Sequence, residues 1–331
     1  MMVPSVVTII FVILTLTNCS QLVTFDATSD MANLVSSLLK SVGQGLKNTL
    51  HCLTDGSTSV SDKFIGQLLA DRENYCPFEC LRALPGVLCC TPQMPDELGV
   101  KFLFYSSNND INTLAIDLNW EQVNTMTPPV GRDSKLVMLV HGFTENAHIS
   151  PWMDRVRRSY QGQGWDVVVV DWSFGAELLT YWQSVANVRT VGAMMGQLAI
   201  AWNVVDRSRL VGFSLGGQII GEAGRHVQRM LNGQKLASCH GLDPAGPFFT
   251  GCVRTQLQPS DCDLVEVIHT SAEPIKNLGL AILSLGSRTK SGHCDYWINC
   301  GYTQPLCQVS RHLMSTVRQL LLTTIFFESI D

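Results

Sequence analysis

The sequence predicts an α/β fold in which a mostly parallel central sheet carries helices on both faces. Two short runs, Leu136–Val140 and Val167–Val170, are entirely apolar, as strands buried on both faces must be. Segments typical of helices lie between such runs, and this alternation indicates a parallel sheet. A chain of 331 residues is long enough for one large domain and a smaller extension.

The predicted elements follow one another from about residue 100 onward. Short runs rich in apolar residues predict the strands, and longer segments of mixed polarity predict the helices. The predicted strands are Lys101–Tyr105, Leu136–Val140, Val167–Val170, Arg209–Gly212 and Leu264–Ile268. The predicted helices are Pro151–Gln161, Asn187–Asn203 and a run that begins after Ser214 and ends near Asn232.

Composition excludes some classes of partner. Only 15% of the residues are charged, against about 25% in an average globular protein, so much of the chain is expected to be buried. The net charge of −5 and the absence of a Lys/Arg run argue against nucleic acid and against an anionic membrane patch.

The first 20 residues have the pattern of a signal peptide. An apolar run, Val6–Leu16, precedes the small and polar residues Thr17–Ser20. The run is too short to span a membrane, so no transmembrane segment is expected in the mature chain. No Lys or Arg precedes the run, although a signal peptide usually has one there. The alternative is a buried first helix, which is unusual at the end of a chain. We predict a secreted, extracellular protein.

Residues 21–98 form a predicted cysteine-rich extension, and residues 99–331 form the main domain. The extension contains five of the 12 cysteines in the chain, at positions 52, 76, 80, 89 and 90. A cluster of this kind can bind zinc, but no histidine lies among residues 76–90, and export favours disulfides. We therefore predict disulfides of undetermined connectivity, with no metal and no cofactor.

The motif Gly212-Phe-Ser-Leu-Gly216 fits G-x-S-x-G, the nucleophile elbow of α/β-hydrolases. A predicted strand precedes it and a predicted helix follows it, which is the context that the motif requires. The flanking glycines let strand and helix pass closely, and the helix N-terminus directs its free N–H groups at the site. Ser214 is the predicted nucleophile of an α/β-hydrolase; the alternative is an ordinary glycine-rich turn.

A catalytic serine needs a base and a carboxylate that orients the base, and in this fold they follow in the order Ser, Asp/Glu, His. Asp243 lies where the next strand should end, because Pro244 stops it there. Asp261, Asp263 and Glu266 are alternatives, but they lie at or beyond the start of the following strand. We predict Asp243 as the carboxylate.

The oxyanion hole should consist of two backbone N–H groups. One is that of Leu215, which follows the nucleophile. The other is assigned to Phe143, because Val140-His-Gly-Phe143 ends an earlier predicted strand and its glycine lets the backbone turn toward Ser214. His141 is interpreted as a structural hydrogen-bonding residue.

Together these segments resemble the pancreatic lipase family, which includes animal triacylglycerol lipases and insect phospholipases A1. The resemblance covers about residue 98 to the end and implies an α/β-hydrolase that acts on lipid carboxyl esters, with Ser214 and Asp243 as two members of its triad. The matching segments are His141–Phe143, Val169–Ser173, Asn187–Gly192, Gly212–Gly216, Gly241–Pro247, Pro259–Asp263, Val267–Thr270, Gly292–Asp295, Gln304–Cys307 and Glu328–Ile330.

The resemblance leaves two alignments for the catalytic histidine. In the first, Ser310–Ser315 matches the family segment and His312 is the base. In the second, counting back from Glu328 places Gln319 there, and a glutamine cannot accept the proton near neutral pH. The family's cysteine two residues before the histidine is missing in both alignments. His269 and His293 match family positions that are not catalytic. We predict His312.

Two features of the resemblance concern the substrate. The segment that matches the family's lid has at most nine residues, 308–316, and short lids in this family accompany phospholipase A1 activity. The loop 271–291 is long, as in the triglyceride lipases. The C-terminal β-sandwich of pancreatic lipases is not expected. The prediction is a lipase or phospholipase A1 that meets its lipid ester at a membrane or droplet interface; the alternative is a catalytically impaired lipid-binding or storage protein.

Overall fold

The computed structural model describes residues 92–110, 114–147, 150–177, 181–250, 254–272 and 285–302. The predicted signal peptide, the cysteine-rich region up to residue 91, His312 and Gln319 lie outside the described residues. No helix in the described part of the chain has both the length and the apolar character needed to cross a membrane.

Eight strands in the described residues form one sheet in the order β2-β1-β4-β3-β5-β6-β7-β8. Strands β3 to β8 run parallel to one another, whereas β1 pairs antiparallel with both β2 and β4. The strands are β1 (Lys101–Tyr105), β2 (Ile116–Leu118), β3 (Leu136–Val140), β4 (Asp166–Asp171), β5 (Ser208–Phe213), β6 (Leu236–Leu242), β7 (Cys262–His269) and β8 (Cys294–Trp297).

Helices connect the strands and cover both faces of the sheet. They are α1 (Pro95–Leu98), α2 (Trp120–Thr125), α3 (Pro151–Gly162), α4 (Tyr181–Ala201) and α5 (Leu215–Met230). Parallel neighbours need such crossovers, because the chain must return to the same edge of the sheet before each new strand. The predicted α/β architecture, mostly parallel with helices on both faces, is confirmed.

The core lies on the two sides of the sheet, as the apolar runs predicted. In β3, Met138 faces a cluster that includes α4 and α5, while Val137 and Leu139 face a second cluster that includes α3. All three side chains are fully buried. Because each such side chain contributes about 1.5–3 kcal/mol when it is buried, both faces of the central strands stabilise the fold.

The boundaries of some elements differ from the prediction. Helix α4 begins at Tyr181, six residues before the predicted start at Asn187. Residues 184–199 of this helix are all buried, so the sequence offers no polar face from which its limits could be read. The short strands β2 and β8 were not predicted, because the charged residues Asp117 and Asp295 interrupt their apolar pattern.

Two further contacts tie the described chain together. Cys239 of β6 and Cys262 of β7 form a disulfide, a pairing that the sequence left open. Gln93 lies against α4, where its backbone N–H donates to Asn187 and its carbonyl accepts from Thr190. The segment from residue 92 to α1 therefore packs on the helix layer, while the boundary of the cysteine-rich region stays a prediction.

Candidate active site

Ser214 occupies the turn between β5 and α5. Its backbone has φ 55° and ψ −116°, a combination that residues with a side chain rarely adopt. Its N–H donates to the carbonyl of Leu242, and its own carbonyl accepts from the N–H groups of Gly217 and Ala245, each at 3.0 Å. Strain of this kind persists only where the surroundings enforce it, and these three hydrogen bonds do so.

Glycines lie where the neighbouring elements approach this turn. A Cβ on Gly212 would lie within 3.0 Å of the backbone of Gly216 and Gly217. A Cβ on Gly216 would lie within 3.0 Å of the carbonyl oxygens of Val140 and His141. Only glycine leaves room here for β5, α5 and the end of β3 to meet, which explains the spacing of the G-x-S-x-G motif.

Asp243 follows β6 directly, beside Ser214, since the preceding residues of the two strands are register partners. It also has a positive φ, 48°. One carboxylate oxygen accepts from the N–H groups of Thr270 (3.0 Å) and Ser271 (3.2 Å), and the other accepts from the Ser271 hydroxyl (2.6 Å). The side chain is buried, and donors of this kind stabilise its ionised form.

The alternative carboxylates lie elsewhere on the sheet. Asp261 precedes β7 and pairs with Arg225 at 2.8 Å; burial raises the pKa of Asp261 to about 6, although the arginine opposes the shift. Asp263 is exposed near the start of β7. Glu266, in the middle of β7, lies 3.2 Å from His240. Parallel strands place these groups away from the carboxyl edge of the sheet, where Ser214 lies.

The predicted oxyanion amides belong to Leu215 and Phe143. Leu215 is the first residue of α5, so its N–H has no acceptor within the helix. Gly142 comes so close to Ser214 that a Cβ on the glycine would lie 2.9 Å from the serine Cβ. The next amide, that of Phe143, makes no hydrogen bond with any residue that the structure describes. Within the described residues, neither the Leu215 amide nor the Phe143 amide has a hydrogen-bond acceptor, and each belongs to a segment that contacts or follows Ser214.

His141 makes the contacts of a structural residue, which is how it was interpreted from the sequence. Its ring is fully buried and stacks on Trp172. Its Nδ1 lies 2.8 Å from the Gly142 carbonyl, and its Nε2 lies 3.3 Å from Asp171 and 3.1 Å from the Trp172 amide. Burial of the Asp171 carboxyl acts to raise its pKa, but its contacts with His141 and Ser173 outweigh burial and hold that pKa well below its ordinary value.

An aromatic wall lies next to Phe143. The ring of Phe143 contacts Tyr181 edge to face at 4.9 Å, and Tyr181 contacts Phe248 at 5.9 Å. The Tyr181 hydroxyl donates to the carbonyl of Pro247 at 3.4 Å, and burial raises the pKa of this tyrosine. The wall presents apolar surface beside one of the two oxyanion amides.

No histidine within the described residues hydrogen-bonds to Ser214. His269 lies 2.7 Å from Asp295 and stacks on Trp297, and His293 accepts from the Val265 amide at 2.9 Å. These two histidines stabilise the end of β7 and the turn before β8. His226 and His240 are buried beside Gln197 and Glu266. The predicted base, His312, lies outside the described residues.

Two residues at this site were missed by the sequence analysis. Ser271 donates to Asp243, and Glu145 accepts from the Gly142 amide. An acidic residue three positions after the glycine of an oxyanion loop is the only signal in the sequence for Glu145. Nothing marks Ser271, because its contact depends on how β6 and β7 pair. The described residues contain no group of three or more His, Cys, Asp or Glu that could hold a metal ion.

Comparison with known proteins gives a family and several relatives. The family model described as "Lipase" matches residues 71–320. Pancreatic lipase-related protein 2 of Bos taurus is 32% identical over 256 residues, which is 73% of this chain and 52% of that protein. The inactive pancreatic lipase-related protein 1 of Homo sapiens is 30% identical over 223 residues, which is 66% of this chain and 45% of that protein.

The chain thus spans about half the length of the curated relatives it matches. Among solved structures, an alpha-beta serine hydrolase homologue from Coxiella burnetii is similar with a TM-score of 0.38 and 14% identity. The match covers 62% of this chain and 89% of that one.

Proposed function

The chain belongs to the lipase family, and we propose that it is a secreted serine hydrolase that cleaves carboxylic esters of lipids. The single observation that carries the proposal is the strained Ser214, held at the carboxyl edge of the sheet between Asp243 and the Gly142 loop. A non-glycine residue with this backbone costs on the order of 1–3 kcal/mol, a cost that a merely structural turn would avoid.

The proposed reaction passes through an acyl-enzyme. The Ser214 hydroxyl oxygen attacks the ester carbonyl while His312 accepts its proton. The C–O bond of the ester then breaks, and His312 returns the proton to the departing alcohol. Water attacks the acyl-serine with the same histidine as base, which releases the fatty acid and restores Ser214. Asp243 orients the histidine.

The amides of Leu215 and Phe143 would stabilise the negative charge that develops on the carbonyl oxygen. Preorganised donors of this type are each worth about 10²–10³ in kcat. The position of Leu215 at the start of α5 adds the positive end of the helix dipole. Neither step requires a metal or a cofactor.

Apolar surface beside the oxyanion supports a lipid acyl chain as part of the substrate. Phe143, Tyr181 and Phe248 form a continuous aromatic contact, which suits the burial of methylene groups. Glyceride and phospholipid esters share this acyl group. By the resemblance to the pancreatic lipase family, the short segment 308–316 favours phospholipase A1 activity, whereas the long segment 271–291 favours glycerides.

A second candidate function is lipid binding without turnover. One specific observation favours it: an inactive relative is as similar to this chain as several of the others. Gln319 in place of the catalytic histidine would produce that outcome, because Ser214 would then lack a base.

A fluorophosphonate probe tests the proposal. We expect the secreted full-length protein to become labelled at Ser214, and the Ser214→Ala variant, as the matched control, to remain unlabelled. A wild-type protein that is not labelled and does not release fatty acid from a monomeric ester would refute the enzyme and leave lipid binding.

Two further variants separate the alignments. If His312 is the base, His312→Ala loses nearly all turnover and Gln319→Ala keeps it. Turnover in His312→Ala that stays at the wild-type level would refute the assignment of His312.

A further inference from the structure

We propose that Glu145 is a positioning residue that sets the oxyanion loop, the segment His141–Thr144, for catalysis. The inference rests on the proposed function, because it concerns the same site. Glu145 lies on the loop after β3, and its Oε2 accepts a hydrogen bond of 2.8 Å from the Gly142 amide. The same oxygen lies 3.3 Å from the point where a Cβ on Gly142 would stand, and Ser214 lies 2.9 Å from that point.

The other end of the carboxylate is anchored to α3. Its Oε1 accepts from the Ser150 hydroxyl and from the Trp152 indole N–H, each at 3.3 Å. Trp152 is almost fully buried and packs edge to face on Phe213, the residue before the nucleophile. Glu145 thus connects the oxyanion loop to a rigid helix that also contacts the end of β5.

Hydrogen bonding then selects which amide is available for substrate. The Gly142 N–H is bound to Glu145, and the Thr144 N–H is bound to the carbonyl of Ala176 at 2.9 Å. The amide between them, that of Phe143, has no acceptor in the described residues. With both neighbours fixed, the Phe143 peptide cannot rotate freely, so its N–H is held ready for the oxyanion.

The surroundings of the Glu145 carboxyl favour a neutral hydrogen-bond acceptor over a negative charge. Burial raises the pKa of Glu145, while hydrogen bonds from Gly142, Trp152 and Ser150 oppose that rise. The carbonyl oxygen of a protonated carboxyl or of an amide can still accept the Gly142 N–H. The role assigned to Glu145 therefore requires an oxygen at this position and does not require a negative charge.

The test compares Glu145→Ala, Glu145→Gln and the control Glu121→Ala, whose side chain is exposed on α2. Turnover of a short monomeric ester gives kcat and KM, and ¹⁵N-detected hydrogen exchange follows the Gly142 amide. We expect Glu145→Ala to lower kcat about 100-fold with little change in KM. Glu145→Gln should recover most of that loss, and Glu121→Ala should match the wild type.

Hydrogen exchange keeps the inference separate from the proposed function. We expect the Gly142 amide to exchange at least about tenfold faster in Glu145→Ala than in the wild type or Glu145→Gln. If the wild type has no turnover, the proposed function fails and this exchange rate alone decides the role of Glu145. Unchanged exchange in Glu145→Ala, an unchanged kcat, or a loss of kcat that Glu145→Gln does not recover would each overturn the inference.

Discussion

Replacement of Gly142 by alanine tests the close approach of the oxyanion loop to the nucleophile. The added Cβ would lie 2.9 Å from the Cβ of Ser214 and 3.1 Å from the carbonyl oxygen of Phe213. Carbon atoms in contact settle at about 3.5–4.0 Å, so the loop must retreat by roughly 0.6–1 Å. Overpacking of this size costs about 1–3 kcal/mol, which lowers the melting temperature by about 2–10 °C in a domain of this size.

The same retreat moves the Phe143 amide away from the position of the oxyanion. A displacement near 1 Å costs on the order of 100-fold in rate, so kcat/KM for a monomeric ester and the rate of fluorophosphonate labelling should both fall by about that factor. Calorimetry and the labelling rate measure the two effects separately.

Gly162→Ala is the matched control, because a Cβ on this last residue of α3 meets nothing within 4 Å. It should leave the labelling rate unchanged and, by reducing the freedom of the unfolded chain, should stabilise the protein by up to about 1 kcal/mol. A Gly142→Ala variant that keeps both the wild-type melting temperature and the wild-type labelling rate would contradict the close approach of this loop to Ser214.

Three further changes have defined outcomes. Asp243→Asn should lower kcat by about 10⁴ in the ester assay, because an amide cannot orient a histidine as a carboxylate does; activity within tenfold of the wild type would exclude Asp243 from the triad. Burial lowers the pKa of His226 to about 4, so the unfolded chain binds a proton below about pH 6.5 that the folded chain does not. Between pH 6.5 and 4, the free energy of unfolding of the wild type should therefore fall by up to about 3 kcal/mol more than that of His226→Gln. Urea unfolding at several pH values measures both, and a difference between the two proteins that does not change with pH would contradict this. Removal of the disulfide in Cys239→Ala/Cys262→Ala opens a loop with a sequence separation of 23 residues, which should cost about 3 kcal/mol in denaturant unfolding; an unchanged midpoint would show that the bridge adds no stability.

The central strands could be predicted from the sequence because each is defined by its own residues. Leu136–Val140 is apolar at every position, and the structure places β3 over the same five residues. The limits of α4 were not predictable in this way. Its residues 184–199 are buried on all sides, and an apolar periodicity that has no polar counterpart marks neither a face nor an end.

In the candidate active site too, some features follow from local sequence and others only from the packing of distant segments. Ser214 and Asp243 could be proposed from local motifs, because a glycine-flanked serine and an aspartate before a proline each mark the end of a strand. The contacts of Asp243 with Thr270 and Ser271 depend on the pairing of β6 with β7, which the chain does not encode in any short segment. The anchoring of Glu145 by α3 is of the same kind.

By itself, the sequence determined the α/β class, the strand that precedes Ser214 and the residues that compete for each role in a triad. Those features depend on local apolar pattern and turn chemistry, which act over a few residues. Only the tertiary structure decided which carboxylates lie at the same sheet edge as Ser214, which amides keep free N–H groups and what holds the Gly142 loop in place. These properties depend on strand order and on packing between segments far apart in the chain, where a change of register would bring different groups together.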